Sequence, residues 1–153
     1  MKFLQPKVLL VDDDPVYLAL INKQFKNSGI DTIASYESAI EALKSDVGIP
    51  DIIFVDFHMN DINGAKASKM FNKKWKNARV ILISNSDSIK RKVKKSRYGI
   101  DDTVLKYADF SEFLNQVKIA KRNIVLRLIW RVSMIVLLAL ACYFLFTFSI
   151  KSN

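Results

Sequence analysis

The sequence predicts a doubly wound α/β domain, with a five-stranded parallel sheet covered by helices on both faces, followed by one membrane-spanning helix. Three observations carry this prediction. Five short apolar runs alternate with segments of helical periodicity, four of those runs stop at residues able to do chemistry, and residues 132–150 contain no charge. Regular βα alternation with short loops implies right-handed crossovers, so the strands run parallel with helices above and below.

The first run, KVLLV at residues 7–11, is continuous, apolar and rich in β-branched residues, as suits a strand buried on both faces. It stops at three aspartates. Asp14 before Pro15 makes an N-cap and first-turn pair, and Tyr17, Leu18, Leu20, Ile21 and Phe25 follow at helical spacing until Asn27-Ser28-Gly29 closes the helix. The alternation continues with strand 31–35, helix 37–46, strand 52–55, helix 64–75, strand 80–83, helix 88–97, strand 103–105 and a fifth helix from about residue 109.

At 153 residues the chain has room for one compact domain and an appendage. The single cysteine, Cys142, excludes an intramolecular disulfide, and Pro6 with the acidic run from Asp12 cuts the amino terminus short of a secretory leader. Between residues 108 and 153 there is neither Gly nor Pro, so nothing obliges the fifth helix to end before the apolar stretch. Nineteen residues at about 1.5 Å each reach roughly 28 Å, the hydrocarbon thickness of a bilayer. The predicted organisation is a domain over 1–121, a basic juxtamembrane helix over 122–131, a span over 132–150 and a short tail, 151–153. Lys118, Lys121, Arg122, Arg127 and Arg131 precede the span and Lys151 alone follows it, which places the domain on the cytoplasmic side of the inner membrane, single-pass and tail-anchored. Arg127, Trp130 and Arg131 are the predicted interfacial residues.

The polar strand ends are the most informative pattern. The runs end at Asp12-Asp13, at Asp56, at Ser84 and at Lys106. In an open parallel sheet the carboxyl ends of all strands share one edge, and ligands bind there at the topological switch point. Three carboxylates converging in a small pocket repel one another unless a cation neutralises them. Mg²⁺ takes few carboxylates and is often shared with phosphate oxygens, which matches this set better than a Ca²⁺ cage. An aspartate flanked by metal, ammonium and hydroxyl is arranged to attack phosphorus and to stabilise the resulting acyl phosphate. Any one of these residues alone is a solvated loop residue by default; the joint placement at four strand ends is what points to function.

These residues resemble those of a response-regulator receiver domain over about residues 7–121. VDDDP holds the acidic pair Asp12 and Asp13, and DIIFVDFHMNDING places Asp56, Met59, Asp61 and Gly64 where the family's D-x-x-M-P-D-x-x-G loop has them. Ser84 matches the family's Ser/Thr position, and Lys106, seven residues after Gly99, its lysine. The resemblance implies a flavodoxin-like fold of receiver type, with Asp56 as phosphoacceptor assisted by Lys106 and Ser84. It implies Asp13, Asp56 and the backbone carbonyl of His58 as ligands to Mg²⁺, with Asp12 acting mostly through water. It also implies no enzyme activity beyond Mg²⁺-dependent self-phosphorylation and autodephosphorylation, and a sensor histidine kinase or phosphotransfer protein as phosphodonor.

Three departures stand out. Asn60 replaces the loop proline, Thr103 stands where many members carry an aromatic switch residue, and Tyr107 follows Lys106 where proline is usual. A cis bond before Tyr107 is therefore not expected, since a cis non-proline bond costs about 3 kcal/mol. His58, the only histidine, has no companion ligands and reads as a neighbour at the pocket rim rather than a ligand through its ring. Position 58 also lacks the second aspartate that a haloacid-dehalogenase-type phosphatase would need.

From Ala65 to Tyr98 there are twelve Lys and Arg against one acid, Asp87. Solvated lysines on helices are ordinary, but beside an anionic leaflet each contributes roughly 1 kcal/mol. This face, with Lys66, Lys69, Lys73, Lys74 and Lys76 on the third helix and Lys90, Arg91, Lys94, Lys95 and Arg97 on the fourth, is expected to meet lipid or an acidic integral membrane partner. No reader domain for nucleic acid follows, so nucleic acid is not an expected partner. The expected function is a membrane-anchored single-domain response regulator in a phosphorelay. The alternative is a constitutive scaffold subunit of a membrane complex that keeps the receiver fold without switching.

Overall fold

The structure is a computed structural model that describes residues 5–89 and 98–151. The elements run β1 (Val8–Val11), α1 (Pro15–Asn27), β2 (Thr32–Tyr36), α2 (Ala39–Lys44), β3 (Ile52–Asp56), α3 (Gly64–Lys74), β4 (Arg79–Ser84), β5 (Asp102–Leu105) and a C-terminal helix (Phe110–Lys151). Residues 87–89 are helical. The rest of the predicted fourth helix, with Lys90, Arg91, Lys94, Lys95 and Arg97, lies outside the described residues.

All five strands are parallel, in the order β2-β1-β3-β4-β5. The order reverses between β1 and β3, which makes their carboxyl ends the switch point. Alternation along each strand divides the core into two layers. Val8, Leu10, Ile52, Phe54, Ile81, Ile83 and Val104 face α1 and the start of the C-terminal helix, where Phe25 packs on Phe54, Phe110 and Phe113 with ring centroids 5.6, 5.0 and 6.5 Å apart. Leu9, Val11, Ile53, Val55, Val80 and Leu82 face α2 and α3, against Phe71 and Trp75 stacked at 5.7 Å. Burial on both faces is why these strands read as unbroken apolar runs.

The local signals hold. Asp14 caps α1 by accepting from the Val16 and Tyr17 amides at 3.0 and 3.1 Å, with Pro15 at the first helical position. Leu20 departs from its predicted place on the apolar face. At about 100° per residue it falls outside the arc of Tyr17, Leu18, Ile21 and Phe25 and is 52% exposed. The basic face on α3 is also more mixed than its sequence implies. Lys66, Lys69 and Lys73 are exposed on the helix, and Lys76, expected on it, lies beyond its end because Trp75 caps α3; Lys74, also exposed, donates to the carbonyls of Leu43 and Ser45 at 2.6 and 2.8 Å and lies over the Trp75 ring, closing the end of α2.

The chain divides after Lys121 into two units. Within the first, Phe113, Val117 and Ala120 are buried, and Gln116 links Arg79 and Asp102 through bonds of 3.0 and 2.9 Å. In the second, the described side chains from Leu128 onward are exposed, including Trp130 and Arg131. The segment Phe110–Tyr143 is long and apolar enough to cross a membrane by length and composition, and none of its most apolar window is buried.

Candidate functional site

Adjacent strands β1 and β3 deliver the acids to one place. Asp12 and Asp13 follow β1, Asp56 closes β3, and one carboxylate oxygen from each lies within 4.8 Å of the others. Asp12 and Asp56 are 1% and 3% exposed, so water does little to separate their charges. Lys106, after β5, reaches in from the same edge. Its ammonium donates to Asp12 Oδ1 at 2.8 Å, lies 2.8 Å from Asp12 Oδ2 and stands 3.9 Å from Asp56 Oδ2. The Asp13 carboxylate accepts the Asn60 amide at 3.0 Å, which ties the loop after β3 to the loop after β1.

Three carboxylates against one ammonium leave the pocket short of positive charge. Burial, and after it the charge of Asp12, pushes the Asp56 carboxyl up to about 6 despite Lys106. Burial also raises Asp12, against the opposing hydrogen bond from Lys106. Burial works against the Lys106 ammonium, but the bond to Asp12 and the charges of Asp12 and Asp56 outweigh it and hold its pKa above the ordinary value. Asp56 Oδ1 is buried and accepts no hydrogen bond. A buried carboxylate with one unpartnered oxygen, clustered with two more carboxylates, fits a hard divalent cation with oxygen ligands, of the size and charge of Mg²⁺.

The model of the response regulator receiver domain family matches residues 8–118. The chain belongs to that family. The receiver is 30% identical over 101 residues to the chemotaxis protein CheY of Listeria monocytogenes, covering 65% of this chain and 85% of that one. It is 29% identical over 119 residues to the transcriptional regulatory protein PrrA of Mycobacterium tuberculosis, covering 77% of this chain and about half (51%) of PrrA. It spans only 30% of the Escherichia coli regulator of RpoS, at 27% identity. Among solved structures, the receiver domain of the Francisella response regulator 1452 superposes with a TM-score of 0.67 at 31% identity, over 76% of this chain and 97% of that one. The response regulator TrrA of Thermotoga maritima, solved with Mg²⁺ and BeF, gives 0.66 at 27%, over 75% and 98%. Receivers bind Mg²⁺ at such an acidic pocket, act as signalling rather than enzymatic domains, and interact with histidine kinases or phosphotransfer proteins.

The receiver fold gathers Asp12, Asp13, Asp56 and Lys106 as the sequence predicts. Ser84 is 1% exposed at the end of β4, and its hydroxyl is engaged locally, accepting from the Ser86 amide at 3.1 Å. The His58 ring is exposed and stands edge-on to Phe57 at 4.7 Å, a rim position. Asp12 accepts directly from the Lys106 ammonium. No cis peptide bond occurs among the described residues, Lys106–Tyr107 included. Sequence reasoning missed Tyr17, counted only as an apolar helix residue. It donates its hydroxyl to the Lys106 carbonyl at 2.9 Å, across 89 residues of chain. A tyrosine in an amphipathic pattern gives no sign of so remote an acceptor. Asp61 was placed by its motif alone; it accepts from Ser38 Oγ and the Ile40 amide at 2.7 and 3.0 Å, fastening the loop after β3 to the start of α2, and these bonds hold its carboxyl low against burial.

Proposed function

We propose that this receiver accepts a phosphoryl group on Asp56, with Mg²⁺, and signals from the cytoplasmic face of the inner membrane, where its C-terminal helix anchors it. The observation that carries this function is the buried, unpartnered Asp56 Oδ1 within a three-carboxylate cluster closed on one side by Lys106. Asp13, Asp56 and the His58 carbonyl would hold the ion, which when bound neutralises the carboxylates and the incoming phosphoryl oxygens.

The chain's own residues then divide the work. An Asp56 oxygen attacks phosphorus of a phosphohistidine, the P–N bond breaks with its electrons going to the imidazole, and an acyl phosphate forms. Lys106 swings between Asp12 and Asp56 with small displacement, offering its ammonium to the charge that arrives on Asp56. Ser84 supplies a hydroxyl donor once it leaves Ser86. The length and apolarity of Phe110–Tyr143 support the anchor, with 122–131 as basic juxtamembrane helix, 132–150 as span and Arg127, Trp130 and Arg131 at the interface. Exposed Lys66, Lys69, Lys73 and Lys76 support contact with anionic lipid or an acidic integral membrane partner.

One observation favours a second function, a constitutive scaffold subunit. Thr103, where many receivers carry an aromatic switch residue, is 3% exposed with a hydroxyl that has no partner, a packed position without an evident moving part. Both halves of the proposal are testable on isolated membranes. The full chain should sediment with them and gain a hydroxylamine-labile acyl phosphate from a phosphohistidine donor with Mg²⁺, while truncation before Arg131 should move the receiver to the soluble fraction. Retention of the truncated chain on membranes would sink the anchor. Absence of acyl phosphate on the full chain would leave the scaffold.

A further inference from the structure

Lys106 is a long, flexible cation between two buried carboxylates, bonded to Asp12 at 2.8 Å and 3.9 Å from Asp56. The carboxylates alone do not fix the path of its stem, which carries four rotatable bonds into the pocket. One side chain touches both ends of the lysine. Tyr17, 6% exposed on the first turn of α1, donates its hydroxyl to the Lys106 carbonyl at 2.9 Å, and its ring lies under the same residue's ammonium, 4.6 Å from nitrogen to centroid. Tyr107 stands edge-on to that ring at 6.5 Å. Burial, and after it the charges of Asp12 and Asp56, raises the Tyr17 pKa well above the ordinary phenol.

We infer that Tyr17 is a positioning residue for Lys106: its hydroxyl fixes the main chain at the end of β5, and its ring supports the ammonium on the line between Asp12 and Asp56. α1 is thereby coupled to the phosphoacceptor pocket through a lysine it does not carry. The ammonium's placement is a matter of geometry alone; its effect on rate rests on the phosphoacceptor function proposed above. An ammonium desolvated over an aromatic face with a second hydrogen-bonded tether is worth about tenfold in a rate that depends on its position.

The test uses the full chain in detergent micelles as wild type, Tyr17→Phe and Tyr17→Leu, each with and without Lys106→Ala. Two quantities are read: proton exchange of the Lys106 ammonium by ¹⁵N NMR, and the rate of acyl-phosphate formation from acetyl phosphate with Mg²⁺. Tyr17→Leu should speed ammonium exchange and slow acyl-phosphate formation by about tenfold each, with Tyr17→Phe intermediate because the ring remains. In the Lys106→Ala background, Tyr17→Leu should have no further effect on rate. The inference is overturned if ammonium exchange is the same in wild type and Tyr17→Leu, or if Tyr17→Leu slows the Lys106→Ala chain as much as the wild type. Should Tyr17→Leu fail to fold, Tyr17→Phe decides by the same two readouts. If the wild type forms no acyl phosphate, the phosphoacceptor function fails and ammonium exchange alone judges Tyr17.

Discussion

In Mg²⁺-free buffer at pH 8, Asp56→Asn is expected to melt roughly 10 °C above the wild type, and at pH 4 the two should melt together. Burial, and after it the charge of Asp12, raises the Asp56 carboxyl from the usual 3.8 to about 6. The fold therefore holds this proton more tightly than the unfolded chain does. Its contribution is fully present below pH ~4 and is lost as pH rises through about 6, a difference of about 3 kcal/mol once the group is charged in both states. Asparagine has the same shape and no charge, so it escapes this loss. Mg²⁺ should reverse the order, because it binds the folded wild-type pocket and stabilises it by mass action, while the asparagine amide of the variant offers a poorer ligand. Near-ultraviolet circular dichroism of the full chain in micelles, scanned at both pH values with and without Mg²⁺, checks all four cases. A wild type as stable at pH 8 as Asp56→Asn without Mg²⁺ would show that the pocket is not electrostatically strained.

Gly64→Ala is expected to destabilise the receiver by about 3 kcal/mol or more and to distort the Asp56 loop with it. Gly64 opens α3 beneath Asp56, its amide bonded to the Phe57 carbonyl at 3.0 Å. A Cβ built there overlaps the Asp56 carbonyl oxygen and crowds the Asp56 carbonyl carbon and Phe57 Cα at 2.9 Å. These are backbone atoms at the end of a central strand, so they cannot swing aside as a side-chain tip would. Gly64 has no left-handed conformation to explain it; the constraint is space. Gly29 is the contrast, at φ 72° with nothing within 4 Å of a built Cβ, so its alanine variant carries only the left-handed strain of about 1 kcal/mol. Thermal melts of the two variants should differ accordingly. Equal melts would mean that α3 shifts freely away from β3.

Much of this was legible in the sequence because the fold writes itself in short-range terms. Strands buried on both faces, such as VLLV and IIFVD, leave continuous apolar runs, and Asp14-Pro15 marks a helix start by local hydrogen bonding alone. The pocket acids were legible for a related reason: parallel topology turns the ends of separate runs into one site. Contacts that depend on the angle of a side chain around its helix were not. Leu20 and Tyr17 sit three residues apart on α1, yet one faces outward and the other reaches Lys106. Lys74 likewise reads as one more surface lysine until the end of α2 is seen beneath it.

The most direct test of the phosphoacceptor function is the binding of beryllofluoride with Mg²⁺ to the full chain in micelles, followed by amide shifts, with Asp56→Ala as control. The expected result is saturable binding that requires both Mg²⁺ and Asp56 and that shifts the amides of Ser84, Ser86 and Ile89 as Ser84 leaves its bond to Ser86. Binding that survives Asp56→Ala, or an occupied pocket with those amides unmoved, would contradict it and leave a receiver fold that serves as a fixed part of a membrane assembly.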